Sequence, residues 1–284
     1  MTQSKSVLIT GASTGIGQAS AFYLSDKGFQ VFASVRNEED ADLLVKESSG
    51  KIHPLIFDLT DYNARDQAIH DLKEQLSGNA LYAIINNAAL MWPGPLEFYP
   101  IPKLREHFEI NLVGTIALIQ ACLPMIRASK GRIINISSAQ ERLPTPFFGP
   151  YTISKLGMRA LHQVLRLELM PWAIECVLII PGAVKTPMWK KFLNNTEDSF
   201  LETSEARELY GNLYRAMIQG AADMYDKSIP ANTVARAIEK ALTDKRPKPE
   251  ITVGPDAKFF CTPLGRFSTR VREKILSTLL KLPK

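Results

Sequence analysis

Val7-Leu-Ile-Thr-Gly-Ala-Ser-Thr-Gly-Ile-Gly17 joins a short apolar run to a glycine-rich turn near the N-terminus. The apolar start predicts a buried strand, and the Gln18-Ala-Ser-Ala that follows begins a helical pattern. Glycines let the backbone turn tightly and approach a pyrophosphate, while the helix N-terminus offers unpaired N–H groups and a positive dipole end. The stretch therefore predicts a dinucleotide site. Its spacing, G-x-x-x-G-x-G, differs from the more common G-x-G-x-x-G, and a purely structural turn is the alternative.

Short β-branched apolar runs alternate with longer helical patterns along the rest of the chain, which predicts βαβ units. The predicted strands are apolar at nearly every position, as strands covered on both faces need to be. We therefore predict an α/β fold of the Rossmann type, with a doubly wound parallel sheet of about seven strands. The strands are expected at Val7–Thr10, Gln30–Ser34, Ile52–Phe57, Ala83–Asn86, Arg132–Ile136, Glu175–Ile180 and Glu250–Val253. The helices are expected near 16–27, 38–48, 62–76, 103–128, 151–170 and 231–243.

Composition and charge narrow the functional class. The chain has 284 residues, of which 45% are apolar and 22% charged, as in ordinary soluble globular proteins. No linker-like or repeated stretch divides it, so we expect one domain over residues 1–284. The net charge of +5 comes from Lys and Arg interspersed with Asp and Glu, whereas a nucleic-acid site would cluster the basic residues, so we expect no nucleic-acid partner. The cysteines and histidines are scattered, which predicts no metal site and no catalytic triad.

The N-terminus runs directly into the first predicted strand, without the apolar stretch of a signal peptide. We also find no apolar run that approaches about 18 residues, the length of a membrane-spanning helix. The widely spaced cysteines suit a reducing compartment. These features predict a soluble, cytoplasmic protein.

The glycine loop, with its pattern Thr-Gly-x-x-x-Gly-Ile-Gly, resembles the cofactor loop of the short-chain dehydrogenase/reductase family. Two further matches follow in family order. Asp58-Leu59 ends the third predicted strand, where the family's acidic residue meets the adenine; a helix N-cap is the alternative for Asp58. Asn86-Asn87-Ala88-Ala89 resembles the family's Asn-Asn-Ala-Gly, with Ala89 in place of the usual glycine.

The segment after the sixth predicted strand, Pro181-Gly182-Ala-Val184-Lys-Thr186, resembles the family loop that holds the nicotinamide and its carboxamide. Thr186 is its polar contact in this resemblance. Together with the other matches, the resemblance implies that the cofactor is bound by Gly11, Ser13, Thr14, Gly15, Ile16, Gly17, Asp58, Leu59, Asn87, Tyr151, Lys155, Pro181, Gly182, Val184 and Thr186.

The end of the second predicted strand indicates which dinucleotide is bound. An acidic residue there would bind the 2′-hydroxyl of NAD and repel a phosphate, whereas an arginine can pair with the 2′-phosphate of NADP. Val35 occupies the place of the acid, and Arg36 follows it. We therefore predict NADP or NADPH in preference to NAD. A solvated loop charge is the alternative for Arg36, because Thr14 adds no second basic residue.

Tyr151-Thr-Ile-Ser-Lys155 lies on a predicted helix, thirteen residues after Ser138. A separation of four places the Tyr151 phenol and the Lys155 ammonium on one helical face. Free tyrosine has a pKa near 10, and a nearby positive charge favours the phenolate, so we expect Lys155 to lower the pKa of Tyr151. The pair predicts an acid/base centre that exchanges a proton with the substrate.

Ser138 and Asn111 complete the catalytic set that the family resemblance implies. Ser138 follows the fifth predicted strand, where its hydroxyl can hold the substrate oxygen; Ser137 is the rival, and the family spacing selects Ser138. Asn111 matches the family member that is thought to hold a water in the proton relay, and the resemblance also implies that Lys155 binds the nicotinamide ribose. In the reducing direction a hydride passes to a carbonyl carbon while Tyr151 protonates the oxygen, and oxidation reverses both transfers.

Glu141 departs from the family pattern, in which glycine is usual at this position. Because the residue follows Ser138 closely, its charge is expected near the mouth of the active site. We expect a solvent-facing loop charge; contact with a polar group of the substrate is the alternative.

Residues 188–229 lie between the nicotinamide loop and the next predicted core helix, and they predict a helical lid over the substrate. With Met91, Trp92 and Pro93, the lid favours a hydrophobic alcohol or carbonyl compound, such as a steroid, a retinoid or a lipid-derived carbonyl. The lid and the C-terminal extension, residues 255–284, more loosely resemble the steroid- and retinol-dehydrogenase branch. The lid's large apolar residues are Trp189, Phe192, Phe200, Leu201, Leu209, Tyr210, Leu213, Tyr214, Met217 and Met224.

The C-terminal extension also predicts an amphipathic helix with basic residues around an apolar stripe. Such a helix can lie on a membrane surface, so a peripheral membrane contact is one interpretation. Packing on its own lid or on a partner subunit is the other, and we expect a homodimer or homotetramer. The stripe consists of Leu264, Phe267, Val271, Ile275 and Leu279.

Two competing classes are weighed against this interpretation. A catalytically silent NADP-binding regulator or interaction protein of the same fold is expected to have lost the Tyr, Lys or Ser position, and none is lost here. An epimerase or dehydratase of the family usually has a longer chain with a separate substrate domain. We therefore predict an NADP-dependent oxidoreductase that interconverts a hydrophobic alcohol with its ketone or aldehyde.

Overall fold

The computed structural model describes residues 5–194, 201, 203–261 and 267–279. Its strands are β1 (Ser6–Ile9), β2 (Gln30–Val35), β3 (Ile52–Ile56), β4 (Ala83–Asn86), β5 (Arg132–Ile136), β6 (Glu175–Pro181), β7 (Val184–Lys185), β8 (Ile229–Pro230) and β9 (Glu250–Val253). Within these residues, a seven-stranded sheet runs in the order β3-β2-β1-β4-β5-β6-β9, and every neighbouring pair in it is parallel. This confirms the predicted doubly wound sheet.

Helices cover both faces of the sheet, and others lie in the predicted lid and C-terminal extension. In chain order, the helices are α1 (Gly15–Asp26), α2 (Glu38–Glu47), α3 (Tyr62–Gln75), α4 (Ile101–Phe108), α5 (Gly114–Ser129), α6 (Gly149–Glu168), α7 (Pro187–Asn194), α8 (Ser204–Asp226), α9 (Ala231–Thr243), α10 (Pro255–Cys261) and α11 (Thr269–Leu279). Helices α1, α2 and α9 pack on one face, and α3, α5 and α6 pack on the other. Alternation along β1 serves both layers, because Val7 and Ile9 face the first and Leu8 faces the second. Each fully buried aliphatic side chain stabilises the fold by about 1.5–3 kcal/mol.

The strand order reverses between β1 and β4. The chain adds β2 and β3 on one side of β1, then returns to place β4, β5, β6 and β9 on the other. Ligands of such sheets bind beyond the carboxyl ends of the strands at this switch point. The segments that follow β1, β4, β5 and β6 therefore converge on one edge of the sheet.

The single helix predicted over 103–128 is divided in the structure. A π-helical turn, Glu109–Val113, separates α4 from α5. The whole stretch Ile101–Ser129 is long and apolar enough to cross a membrane by length and composition alone, which the sequence analysis did not recognise. Leu118, Cys122 and Ile126 are fully buried in the layer against the sheet, so this face of α5 belongs to the core.

The segment predicted as a lid contains α7 and α8, and a short parallel pair, β7 with β8, closes its base. Of its predicted apolar residues, Phe200 lies outside the described residues. In the C-terminal extension, α10 is followed by the basic helix α11, and the side chains of Phe267 and Val271 are exposed. Leu264 also lies outside the described residues. The membrane contact and the homo-oligomer stay predictions.

Burial of two histidines predicts loss of stability in mild acid. Desolvation lowers the pKa of both His107 and His162 to about 4. As the pH falls from about 6.5 to 4, the unfolded chain binds protons at these rings while the folded chain does not, so stability falls with pH. Replacing His162, on α6, with Leu should make the loss of unfolding free energy between about pH 7.5 and pH 5 smaller by about 1–2 kcal/mol.

Urea unfolding at the two pH values measures this effect. His70→Gln is the matched control because His70 is exposed and lies 3.3 Å from the exposed Glu74. A His162→Leu variant that keeps the full pH dependence of the parent would contradict the assignment.

Candidate active site

The glycine loop is locked to the end of β4. Thr10 Oγ1 accepts hydrogen bonds from the backbone N–H groups of Asn87 and Ala88, both at 3.0 Å. In return, the Asn87 side-chain amide donates to the carbonyls of Thr10 at 2.9 Å and Gly11 at 3.1 Å. Position 17 accepts only glycine, because a Cβ on Gly17 would lie 2.2 Å from the Gly11 carbonyl oxygen. Asn87 therefore shapes the loop, and Thr10, which the sequence analysis did not single out, is its anchor.

The start of α1 fits an anionic ligand. Thr14, the residue before the helix, makes no side-chain capping hydrogen bond, so the first N–H groups of α1 are available to a phosphate. Ser13 and Gly15 are partly buried beside it, whereas Ile16 packs against the core. This arrangement suits a dinucleotide diphosphate.

Arg36 lies at the carboxyl end of β2, one residue beyond the buried Val35. Its side chain is exposed, and within the described part of the chain its guanidinium has no hydrogen-bond or ion-pair partner. The next residue, Asn37, instead caps α2, accepting a hydrogen bond from Asp40 N at 2.8 Å. Arg36 is thus available for an external anion.

Asp58 and Leu59 follow β3 and differ in what they offer. Asp58 Oδ1 accepts hydrogen bonds from both the backbone N–H and the hydroxyl of Thr60, at 2.8 and 2.7 Å. The N-cap of α3 is Asp61, whose side chain accepts from Ala64 N, so the alternative of Asp58 as that cap is wrong. The Leu59 side chain is buried in the core, which leaves only its backbone able to reach a ligand.

The loop after β6 is held by a residue that the sequence analysis missed. Asp256, in the first turn of α10, accepts a hydrogen bond from Ala183 N at 2.6 Å. A Cβ on Gly182 would lie 2.1 Å from its carboxylate oxygens, so glycine is needed there. Pro181 and Val184 are buried, and Thr186 lies beside the glycine loop, with its Cγ2 3.3 Å from a Cβ built on Gly15. The two loops expected to bind the cofactor are therefore neighbours.

Asn111 occupies the π-helical turn between α4 and α5 and is buried. Its side-chain oxygen accepts from Leu90 N at 2.6 Å, and its nitrogen donates to Leu90 O at 2.8 Å and to Ser154 Oγ at 3.1 Å. Turns of this kind are frequent at functional sites. The side chain braces the segment after β4 against α6, and its role in a proton relay stays a prediction.

Ser138, Tyr151 and Lys155 lie together beyond the carboxyl end of β5. The Ser138 hydroxyl is close enough to the Tyr151 phenol to lower its pKa. Lys155 Nζ lies 5.5 Å from the centroid of the Tyr151 ring and donates to the Ile136 carbonyl at 2.8 Å. The rival serine, Ser137, uses its hydroxyl elsewhere, because it donates to Glu141 Oε2 at 2.5 Å. The structure thus brings the predicted serine, tyrosine and lysine into one cluster.

Burial changes the acidity of this cluster in a way that the sequence analysis did not foresee. Desolvation raises the pKa of Tyr151 to about 12, and the Ser138 hydroxyl opposes this rise only in part. Desolvation also lowers the pKa of Lys155 to about 8, against the pull of the Glu141 charge. The expectation of a lowered pKa for Tyr151 is therefore wrong, because loss of solvent outweighs the nearby ammonium.

His107, which the sequence analysis missed, lies beside Tyr151 with 6.3 Å between ring centroids in an edge-to-face arrangement. The side chain is fully buried, and its pKa is lowered to about 4 by burial and by the charge of Lys155. The ring is therefore neutral at physiological pH. Its position four residues before Asn111 on the same helical segment is the signal that could have located it.

Glu141 does not face solvent as expected. Its side chain is fully buried and pairs with Arg159 on α6. The expectation of a loop charge is wrong because two arginines and Ser137 converge on the carboxylate.

An aromatic and aliphatic cluster stands between the lid helices and the start of α6. Phe147 and Phe148, immediately before α6, pack against Phe192 of α7 and Tyr214 of α8. Tyr210 of α8 also anchors the lid to the segment after β4, because its hydroxyl donates to Glu97 Oε2 at 2.7 Å. Leu209 is exposed and lies outside the cluster. The partly buried members of the cluster are Met91, Phe98, Trp189, Leu193, Tyr210, Leu213 and Ile218.

Comparison with known proteins gives concordant matches. A family model described as short chain dehydrogenase matches residues 5–197. The chain is 34% identical over 280 residues to the NADPH-dependent 3-dehydrocapnine reductase of Ornithobacterium rhinotracheale, covering 96% of each chain. It is 32% identical over 285 residues to 17-beta-hydroxysteroid dehydrogenase type 6 of Bos taurus, covering 97% of this chain and 88% of the relative.

Among solved structures, the crystal structure of a short-chain dehydrogenase from Streptomyces avermitilis is similar, with a TM-score of 0.77 and 26% identity. The match covers 98% of this chain and 96% of that one. The sequence matches and the structural match extend over nearly the whole length, and they agree with the resemblance drawn from the motifs. The chain therefore belongs to the short-chain dehydrogenase family of oxidoreductases.

Proposed function

We propose that this oxidoreductase interconverts a hydrophobic secondary alcohol with its ketone, or an alcohol with its aldehyde, using NADP(H) and Tyr151 as the acid/base. The observation that carries the proposal is the cluster of Ser138, Tyr151 and Lys155 at the end of β5, where Lys155 Nζ lies 5.5 Å from the Tyr151 ring centroid and donates to the Ile136 carbonyl. A phenol and a hydroxyl that lie together in this way can both reach one substrate oxygen.

The residues around the switch point would hold the dinucleotide. The N-terminus of α1 and the glycine loop would bind the diphosphate, Arg36 the 2′-phosphate, and the loop from Pro181 to Thr186 the nicotinamide. NADP is supported by the exposed, unpaired Arg36 and by the relative that is named as NADPH-dependent. When bound, the nicotinamide supplies or accepts the hydride.

The protein's own residues would handle the proton and the oxygen. In reduction, Ser138 holds the carbonyl oxygen and Tyr151 donates its phenolic proton to that oxygen as the carbon becomes tetrahedral. A pKa raised to about 12 keeps the phenol protonated at neutral pH, which is the form that this direction needs. The Lys155 ammonium stabilises the phenolate that remains.

The lid cluster supports an apolar substrate. Phe148 precedes Tyr151 by three residues and packs on Phe192 of the lid, with 5.1 Å between ring centroids. An apolar chain or ring system leaving the carbonyl would be buried against such side chains. The relatives named for a dehydrocapnine and a hydroxysteroid are consistent with this class of substrate.

Replacing Tyr151 with Phe should lower turnover of ketones by about a thousandfold, because positioned proton donors contribute about 10²–10⁴ in rate. Cofactor affinity should change less than about twofold, since the ring remains in place. NADPH absorbance measures turnover, and fluorescence titration measures affinity. Tyr23→Phe is the control, because it removes the hydrogen bond that Tyr23, on α1, donates to Glu239 at 2.8 Å. Turnover retained by the Tyr151 variant would defeat the mechanism.

Replacing Arg36 with Asp should weaken binding of 2′,5′-ADP by about ten- to a hundredfold, because a charge-assisted hydrogen bond is lost and a repulsion replaces it. Binding of 5′-AMP should change little. Calorimetry with the two nucleotides measures the difference. Lys51→Asp makes the same change in net charge at an exposed residue paired with Asp26. Equal losses of affinity for both nucleotides would show that Arg36 does not recognise the 2′-phosphate.

The lid predicts a dependence on apolar chain length. In a homologous series of methyl ketones, kcat/KM should rise about fourfold for each methylene buried, at about 0.8 kcal/mol each. Trp189→Ala should flatten this slope, because Trp189 belongs to the lid cluster. Trp172→Ala, in the exposed turn after α6, should leave it unchanged. A slope of zero in the parent enzyme would argue against a hydrophobic substrate.

A further inference from the structure

Glu141 carries a carboxylate in a buried position, where an unpaired charge destabilises the fold. Its side chain is 0% exposed, and a carboxylate withdrawn from water is retained only when cations and donors surround it. Glu141 is therefore expected to have a set of partners that balances its charge.

The partners of Glu141 come from three elements. Arg159, on α6 and 14% exposed, pairs with Oε1 through Nη1. Ser137, at the end of β5, donates to Oε2 at 2.5 Å. Arg142 Nε lies 3.6 Å from Oε1. Arg159 also reaches β9, because its Nη2 lies 2.5 Å from Glu250 Oε1.

This network spans the two segments that carry the reacting groups. Glu141 ends the 3₁₀ turn that begins directly after Ser138, and Arg159 follows Lys155 by one turn of α6. Ser137 lies between them, since its hydroxyl is also 3.5 Å from the Lys155 carbonyl oxygen. The ion pair thus fixes the serine turn on the helical face that bears the tyrosine and the lysine.

The same carboxylate acts on the Lys155 charge. Burial lowers the pKa of Lys155 to about 8, and the Glu141 charge opposes this change. The charged and titratable groups around the lysine within the described residues include Tyr151 and Arg159 on α6, His107 on α4 and Glu141 in the turn after β5. Of these, only Glu141 favours the ammonium, because Arg159 is itself a cation, His107 is neutral and Tyr151 is protonated at neutral pH.

We propose that Glu141, paired with Arg159, is a positioning residue that holds the Ser138 turn against the Tyr151–Lys155 face of α6. The inference rests on the proposed tyrosine-centred reaction for its kinetic consequence. Its effect on Lys155 itself can be measured without any substrate.

The first test is a titration of Lys155. Protein labelled with ¹³C at lysine Cε is followed by NMR from about pH 6 to 10, and the Lys155 signal is assigned by its loss in Lys155→Met. The midpoint for Lys155 should fall by about one pH unit in Glu141→Gln. An unchanged midpoint would overturn the proposal whatever the substrate proves to be.

The second test separates positioning from folding. Glu141→Gln and Glu141→Gly should lower kcat for a ketone by roughly fivefold at pH 8, as the charged fraction of Lys155 drops, with KM within about twofold. The alkaline limb of the kcat profile should move to lower pH by the same shift. Arg166→Gln is the control, because it breaks a pair on α6, with Glu175 at 3.6 Å, away from the site.

A double variant distinguishes the two roles. Glu141→Gln with Arg159→Gln removes both buried charges, so its melting temperature should recover relative to the single variants. Its kcat should stay lowered, because the serine turn has lost its tie to α6. Full recovery of kcat in the double variant would show that the pair serves folding alone and would overturn the proposal. Parallel assays of Tyr151→Phe identify a failure of the proposed reaction, because only that failure leaves Tyr151→Phe as active as the parent.

Discussion

The buried ammonium of Lys155 is the interaction on which the active site depends. Its Nζ donates to the Ile136 carbonyl, so the charge is held directly at the end of β5. The desolvation that lowers the pKa of Lys155 also raises that of Tyr151 and keeps the neighbouring His107 neutral. Burial therefore sets the protonation state of three side chains. It favours a protonated Tyr151 phenol beside a lysine whose charged form is destabilised.

The topology explains why these side chains meet. Parallel strands bring the segments after β1, β4, β5 and β6 to one edge, and side-chain hydrogen bonds then lock neighbouring segments together. Thr10 and Asn87 join the glycine loop to β4, and Asn111 joins the segment after β4 to α6. The polar residues at this edge of the sheet thus have two roles. They shape the loops, and they line the place where the ligands are expected.

Much of this could be predicted from sequence, and what could not has a common reason. The seven strands of the main sheet were predicted to within a residue because continuous apolar runs mark strands buried on both faces, whereas the short pair β7 and β8 was not predicted. The Tyr151–Lys155 spacing fixes a shared helical face. The π-helical turn at Asn111 depends on hydrogen bonds to Leu90, which no local pattern encodes. The burial of Glu141 depends on Arg159, which lies eighteen residues away, so the residue type and its neighbours in sequence suggested a loop charge.

The last strand connects the two halves of the proposed reaction. Glu250, at the start of β9, pairs with Arg159 and so supports the helix that bears Tyr151, the proposed proton donor. Asp256, just beyond the end of the same strand, binds Ala183 N and fixes the loop expected to hold the nicotinamide. Because β9 pairs with β6 along its whole length, a displacement of this edge strand would move both anchors together. The C-terminal part of the chain therefore constrains the hydride side and the proton side of the site through one element.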